Sequence, residues 1–210
     1  MRKSVLLTGL GVLWFTGVYA SPFNTNLLIN STTNSSNMNG WSVTANGGSG
    51  WAVGGGVFYT SYQWDVRTQT IDLLAAGFSA AVLDAAPDIR VGVNINAYWG
   101  GQYFINCQIQ DASHNALATY SVGSQSSPIT LGSSLNWDFT WVGSVLSNYN
   151  SGARYIVYTD GGKDTRNWGG NYGTAFKTAE VSVIPEPATA AVLALGSLVI
   201  GIYRRFYGRT

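Results

Sequence analysis

The sequence predicts an all-β sandwich carrying one short helix, and three observations lead there. Charged residues fill 10% of the 210 positions and hydrophobic residues 46%, with 26 glycines. That composition suits apolar strands joined by many tight turns. Apolar and polar residues alternate with a period of two over several stretches, the pattern of a strand with one buried and one wet face. One segment reads as helix, and no regular alternation of strands with helices argues for a parallel sheet.

Taken in chain order, residues 1–20 read as a secretory leader. Arg2 and Lys3 precede a mostly apolar stretch from Val5 to Val18, and Val18-Tyr19-Ala20 fits cleavage after Ala20. An uncleaved anchor is the alternative. Residues 21–184 form the folding unit, in which Ser31–Asn39 is polar and expected to be a mobile loop. "LLAAGFSAAVLDAAPDI" (73–89) supplies helix formers from Ala75 to Leu83 and a stop at Pro87.

Strands are expected where Tyr103, Ile105, Cys107 and Ile109 alternate with Phe104, Asn106, Gln108 and Gln110. Leu135, Trp137, Phe139 and Trp141 alternate likewise, as do Ala179, Val181 and Val183. Turns are expected at Asn46-Gly47-Gly48, Trp99-Gly100-Gly101, Ser127-Pro128, Asn150-Ser151-Gly152 and Gly161-Gly162. Trp41, Trp51, Trp64, Trp137 and Trp141 are assigned to the core.

Several function classes lose their footing. Residues 21–184 hold six Lys/Arg against nine Asp/Glu, about −3, with no basic stripe, so nucleic acid is not an expected partner. Cys107 is the one cysteine, which excludes a disulfide framework and a cysteine-ligated zinc; it reads as a buried, inert thiol. His114 is the one histidine, in a turn-like "DASHNA". Asp84 and Asp88 could pass for a glycosidase pair but flank a helix end, where aspartate makes local backbone bonds. Asp160 and Asp164 could line a calcium loop or face each other in a hydrolase, yet Lys163 lies between them and turn-bracing is the preferred reading. No cofactor is expected, and no enzyme activity.

"GGKDTRNWGGNYG" (161–173) poses the sharpest question, because it sets Trp168 among glycines that have no side chain to cover it. The indole either plugs the core or is held out to stack on a ligand. Gly161, Gly162, Gly169, Gly170 and Gly173 are expected to shape that loop.

The segments "NLLIN" (26–30), "GW" (40–41), "GGSGWAV" (47–53), "FYTSYQW" (58–64), "QTIDL" (69–73), "LDAAPDI" (83–89), "ARYIVYTDGGKDT" (153–165), "WGGNYG" (168–173) and "VSV" (181–183) occur in that order. Together they resemble the F-box-associated domain, the carboxy-terminal module of sugar-recognising F-box proteins. The resemblance implies a jelly-roll sandwich of the galactose-binding type, whose loops at one end bind the chitobiose core of high-mannose N-glycans. It implies that Trp168 is a sugar platform, flanked by Asn167 where the family's binders have tyrosine and by Gly169 where they have lysine. A second aromatic contact is implied in "FYTSYQW": Phe58 is preferred, with Tyr59 and Tyr62 as alternatives. Arg166, Asn167 and Asn171 are placed to bond sugar hydroxyls.

The other end, "VIPEPATAAVLALGSLVIGIYRRFYGRT", resembles a PEP-CTERM sorting tail: Pro185-Glu186-Pro187, an apolar run over 188–203, then Arg204, Arg205 and Arg209. That resemblance implies a bacterial protein held transiently in the inner membrane, processed by an exosortase after signal peptidase has acted, and delivered to the cell surface or matrix. The expected partner is therefore a glycan or exopolysaccharide, and no ubiquitin-ligase partner is expected. A structural or adhesive spacer without a sugar site is the alternative function.

Overall fold

The computed structural model describes residues 22–185, with residue 33 left out. The leader with Ala20, and Glu186, Pro187, Arg204 and Arg205 of the tail, lie outside the described residues. No helix among the described residues is long and apolar enough to cross a membrane.

Two antiparallel sheets face each other. The first runs β1 (Ser42–Asn46), β4 (Asp65–Asp72), β10 (Tyr155–Asp164), β6 (Gly101–Gln110), β7 (Ala116–Val122), with β8 (Ile129–Leu131) also pairing with β6. The second runs β2 (Ala52–Gly54), β3 (Val57–Tyr59), β11 (Ala175–Val183), β5 (Ile89–Asn96), β9 (Thr140–Leu146). The alternating residues of β6 and β11 point their apolar sides inward, as the pattern predicts: Ile105, Cys107, Ile109, Val181 and Val183 are all buried. Helix α1 (Ala80–Asp84) is shorter and later than expected. The carboxylate of Asp72 accepts the backbone N–H of Leu74 at 2.9 Å and of Ala75 at 3.0 Å, which holds that stretch in a turn. Ser79 then caps the helix by accepting from Val82 N–H at 3.3 Å.

Two other expectations change. The strand foreseen from Leu135 to Trp141 begins only at Thr140. Before it the chain is a loop, because the Asn96 amide donates to the carbonyls of Asn136 (3.0 Å) and Asp138 (2.8 Å) and removes them from any ladder. Gly161-Gly162 is no turn but the middle of β10. A Cβ at Gly161 would stand 2.8 Å from Val66 Cγ2 and 2.9 Å from Phe104 Cε1, so glycine is there for close packing. In the polar 31–39 stretch Ser31 and Ser35 are buried, while Thr32, Asn34, Ser36, Asn37 and Asn39 are exposed.

Among the expected core tryptophans, Trp41 is buried, while Trp51, Trp64 and Trp141 are partly buried against Phe176, Phe104 and the Arg90 guanidinium. Trp137 is out of the core, 55% exposed, because it belongs to the 132–139 loop. The core also encloses Arg67, fully buried, with its guanidinium carbon 3.9 Å from the Trp41 ring centroid and 4.0 Å from that of Phe58. Asp160 completes it through two bonds, 2.7 Å to Nε and 3.0 Å to Nη2.

Cys107 is buried, and burial pushes its thiol from 9.0 up to about 12. Its neutral burial adds stability that is complete below pH 9.0 and is lost as pH rises toward about 12. In the native protein at pH 8 the thiol should resist a soluble disulfide reagent and react promptly once denaturant is added; fast native labelling would contradict this burial.

The strand registers gather five connections at one pole. Gly162 pairs with Asp65, Asp164 with Gly101, Asn46 with Asp65, and Gly101 with Leu131. Ala175 pairs with both Asn96 and Tyr59, and Ile95 with Thr140. Loops 47–51, 60–64, 97–100, 132–139 and 165–174 therefore share one rim. Both described chain ends leave from the opposite pole, where Asn24 N–H bonds Val183 O at 2.9 Å and Ile184 N–H bonds Asp88 O at 2.8 Å.

Candidate functional site

Trp168 is 93% exposed, which answers the question its glycine-rich loop poses. The loop is braced from inside. Asp164, the last residue of β10, accepts through Oδ1 from Arg166 N–H (2.7 Å) and Asn167 N–H (3.2 Å), and through Oδ2 from Asn167 Nδ2 (2.9 Å). A carboxylate that captures the next amides forms a compact turn. Further along, Gly170 takes φ +73°, a conformation that favours glycine. Asn171 Nδ2 donates to Gly50 O, Gly173 N–H bonds Thr60 O at 2.9 Å, and Thr174 Oγ1 donates to Gln102 O at 2.9 Å. The indole thus stands out from a loop anchored at both ends.

Beside it lies an open groove of about 490 Å³, lined by Tyr62, Gln102, Lys163, Asp164, Thr165, Arg166, Asn167 and Trp168. The walls combine an aromatic face, two cations, one carboxylate and neutral hydrogen-bonding groups. Such a site can pack against an apolar ligand face while bonding polar groups around its edge. It also has a second aromatic wall in Tyr62.

The structure sorts the sequence candidates into three places. Tyr62, Arg166, Asn167 and Trp168 share the groove. Tyr59 and Asn171 line a separate cleft on the other side of the loop. Phe58, the preferred second aromatic, is 0% exposed and packs under Arg67, so that preference does not hold. The reason is strand alternation: in β3 the side chains of Phe58 and Tyr59 point to opposite faces. Gln102, Lys163 and Thr165 were not singled out from the sequence. They reach the groove because β6 begins, and β10 ends, at the rim.

Asp84, Asp160 and Asp164 have structural partners. Asp160 is bound to Arg67 and to the Tyr158 hydroxyl at 3.0 Å, inside the core, rather than bracing a turn. Asp84 pairs with Arg154 at 2.8 Å. One carboxylate, Asp164, lines the groove, whereas glycoside hydrolysis needs two across a cleft. Among the described residues no three His, Cys, Asp or Glu side chains cluster as a metal site. His114 is exposed in a turn at φ +63°, its ring stacked on Tyr155 at 4.4 Å.

The family model for the F-box associated region matches residues 18–183. The chain is similar to F-box only protein 6 of Homo sapiens, 30% identical over 164 residues covering 70% of this chain and 55% of that protein. It is 29% identical over 163 residues to F-box only protein 44 of Homo sapiens, covering 69% and 62%. The chain therefore spans between about half and two thirds of these relatives' length. Among solved structures, TmCBM61 in complex with β-1,4-galactotriose superposes with TM-score 0.42 and 14% identity, over 77% of this chain and 99% of that one.

Proposed function

The chain belongs to the F-box associated region family, and from that premise we propose that it is a non-enzymatic carbohydrate-binding module, exported and displayed at a bacterial surface or matrix. The observation that carries the reading is Trp168, 93% exposed on a loop that Asp164 holds in shape. Large aromatics are mostly buried, so an indole left in water on a braced loop is free to stack on a ligand. A pyranose ring offers C–H bonds on one face, suited to the indole plane, and hydroxyls around its edge, suited to Gln102, Lys163, Asp164, Arg166 and Asn167.

The family resemblance supports sugar rather than another flat ligand. It does not extend to chitobiose as the particular sugar, since Asn167 and Gly169 stand where the family's binders carry tyrosine and lysine. Around Gly169 the space is open, and the groove's cations are Lys163 and Arg166 instead.

The placement of the ends supports the surface role. The sandwich leaves toward Pro185 from the pole opposite the aromatic rim. A protein tethered through Pro185-Glu186-Pro187 and the apolar tail would present that rim outward. Signal peptidase acting after Ala20 and an exosortase acting near the tail motif are the partners this route requires. The spacer alternative gives no role to an exposed indole on a braced loop.

The test is binding of the full chain and its Trp168→Ala variant to a glycan array. The wild type should bind a subset of glycans, and the variant should lose about tenfold or more, the size expected for removing a stacking aromatic. Its melting temperature should stay unchanged, since the side chain lies outside the core. Equal binding by the two proteins would refute the site.

A further inference from the structure

A second cleft, of about 290 Å³, opens on the other side of the 165–174 loop, lined by Tyr59, Tyr98, Trp99, Trp137, Asn171, Tyr172 and Gly173. Its floor is a stacked pair: the Tyr98 and Trp137 rings lie 5.1 Å apart at 20°. Trp99 rises from Tyr98 at 82°, and Tyr59 meets Trp137 at 87°, so flat and upright rings form a corner. Trp137 is 55% exposed, Tyr172 51% and Trp99 41%. Five aromatic side chains from four segments converge at the rim.

We propose that this cleft is a second carbohydrate subsite, which takes a neutral sugar ring of the same polysaccharide chain whose neighbouring part lies in the Trp168 groove. Three features select that occupant. Among the described residues no Lys, Arg, Asp or Glu lines the cleft, so it offers no counter-ion to an acidic or basic sugar, whereas the Trp168 groove carries both signs. The phenols of Tyr59 and Tyr172 bring hydroxyl groups to an otherwise aromatic cleft, as a hydroxyl-edged ring requires. The cleft and the groove share one loop, with Arg166 to Trp168 on one side and Asn171 to Gly173 on the other. A chain of linked sugars crossing that loop would meet both sets of rings.

The inference rests on the reading of this rim as sugar-binding, but on different side chains, so the two can fail separately. The experiment uses the full chain and its Trp137→Ala, Trp99→Ala and Trp168→Ala variants. Titration calorimetry would follow their binding to neutral polysaccharides of different backbone sugar and to a length series of oligosaccharides from the one bound best. Trp137→Ala should lose about tenfold on the polysaccharide and on the longer oligosaccharides, and little on the shortest that binds. Trp99→Ala should behave in the same way, and both should keep the wild-type melting temperature.

If Trp137→Ala and Trp99→Ala bind every ligand as the wild type does while Trp168→Ala loses binding, the cleft is no subsite and the groove stands. Loss in the cleft variants with none in Trp168→Ala would keep the cleft as a sugar site, and would overturn the groove and the shared chain. No binding of any polysaccharide by the wild type would overturn both. A dimer that forms at rising concentration and is abolished by Trp137→Ala would overturn the cleft alone, since its rings would then be covered by a second copy.

Discussion

Replacing Asp160 with asparagine should cost about 3–5 kcal/mol of unfolding free energy, the size seen when one partner of a buried ion pair is removed. For a domain of this size the melting temperature should fall by something on the order of 10 °C. Arg67 sits between the two sheets with no exposure, and its charge is met by Asp160 through two bonds of 2.7 and 3.0 Å. An asparagine side chain there would offer one neutral oxygen and an amide that faces a cation. Water cannot make up the difference, because Trp41, Phe58, Trp51 and Phe176 surround the guanidinium within 5.8 Å of their ring centroids.

The aromatic faces carry part of the load. Arg67 Nη1 has no hydrogen-bond partner among the described residues, and the Trp41 and Phe58 rings stand over the guanidinium instead. Tyr158 completes the set, donating to Asp160 from a phenol that burial, and then the Asp160 charge, push well above its usual value. The group acts as one unit, so its members should not add independently. A triple variant, Arg67→Met with Tyr158→Phe and Asp160→Leu, removes every buried polar atom of the unit together and should recover most of the stability that Asp160→Asn loses. Chemical denaturation read by tryptophan fluorescence would measure both. An Asp160→Asn protein within about 1 kcal/mol of wild type would mean that the pair is not desolvated as the structure shows.

The sequence made the sandwich readable because period-two alternation survives wherever a strand faces the core, as at Tyr103–Gln110 and Ala179–Val183. It misled at Leu135–Trp141, where the same alternation occurs in a loop. Nothing local distinguishes the two cases, because the decision is made by Asn96, about forty positions away, bonding the carbonyls of Asn136 and Asp138. Gly161-Gly162 failed in the opposite direction. Paired glycines read as a turn, but here they let two strands and the facing sheet close to contact distance. The groove was half legible. A glycine-framed indole drew attention to Trp168, and the family resemblance drew it to the 58–64 segment, yet neither could tell Phe58 from Tyr62. The aromatic cleft was invisible, since Trp99, Trp137 and Tyr172 come from separate loops and meet only because strand register brings those loops to one pole.

Asp164→Ala should loosen the Trp168 loop without unfolding the protein. Its carboxylate fixes Arg166 and Asn167 through three bonds of 2.7 to 3.2 Å, and no other side chain among the described residues takes over those donors. Hydrogen bonds to a charged group contribute about 1.5–3 kcal/mol where they are protected, and here water can replace them in part, so the loss of global stability should be about 1–2 kcal/mol. The larger effect is local. Amide hydrogen exchange across 165–170 should quicken by about tenfold or more, while the β10 amides before Asp164 keep their protection.

A loop that must be ordered on binding takes that ordering cost out of the affinity, so glycan binding should weaken by about tenfold with Trp168 still present. Asp164 also lines the groove, and Asp164→Asn separates its two roles. Asparagine keeps an oxygen for the Arg166 and Asn167 amides, so binding should stay near wild type if the carboxylate acts by bracing. If it acts by touching the sugar with its charge, the asparagine variant should lose as much as the alanine. Unchanged exchange in Asp164→Ala would show that the loop's shape comes from elsewhere, from the anchors at Gly50, Thr60 and Gln102 that hold its far side.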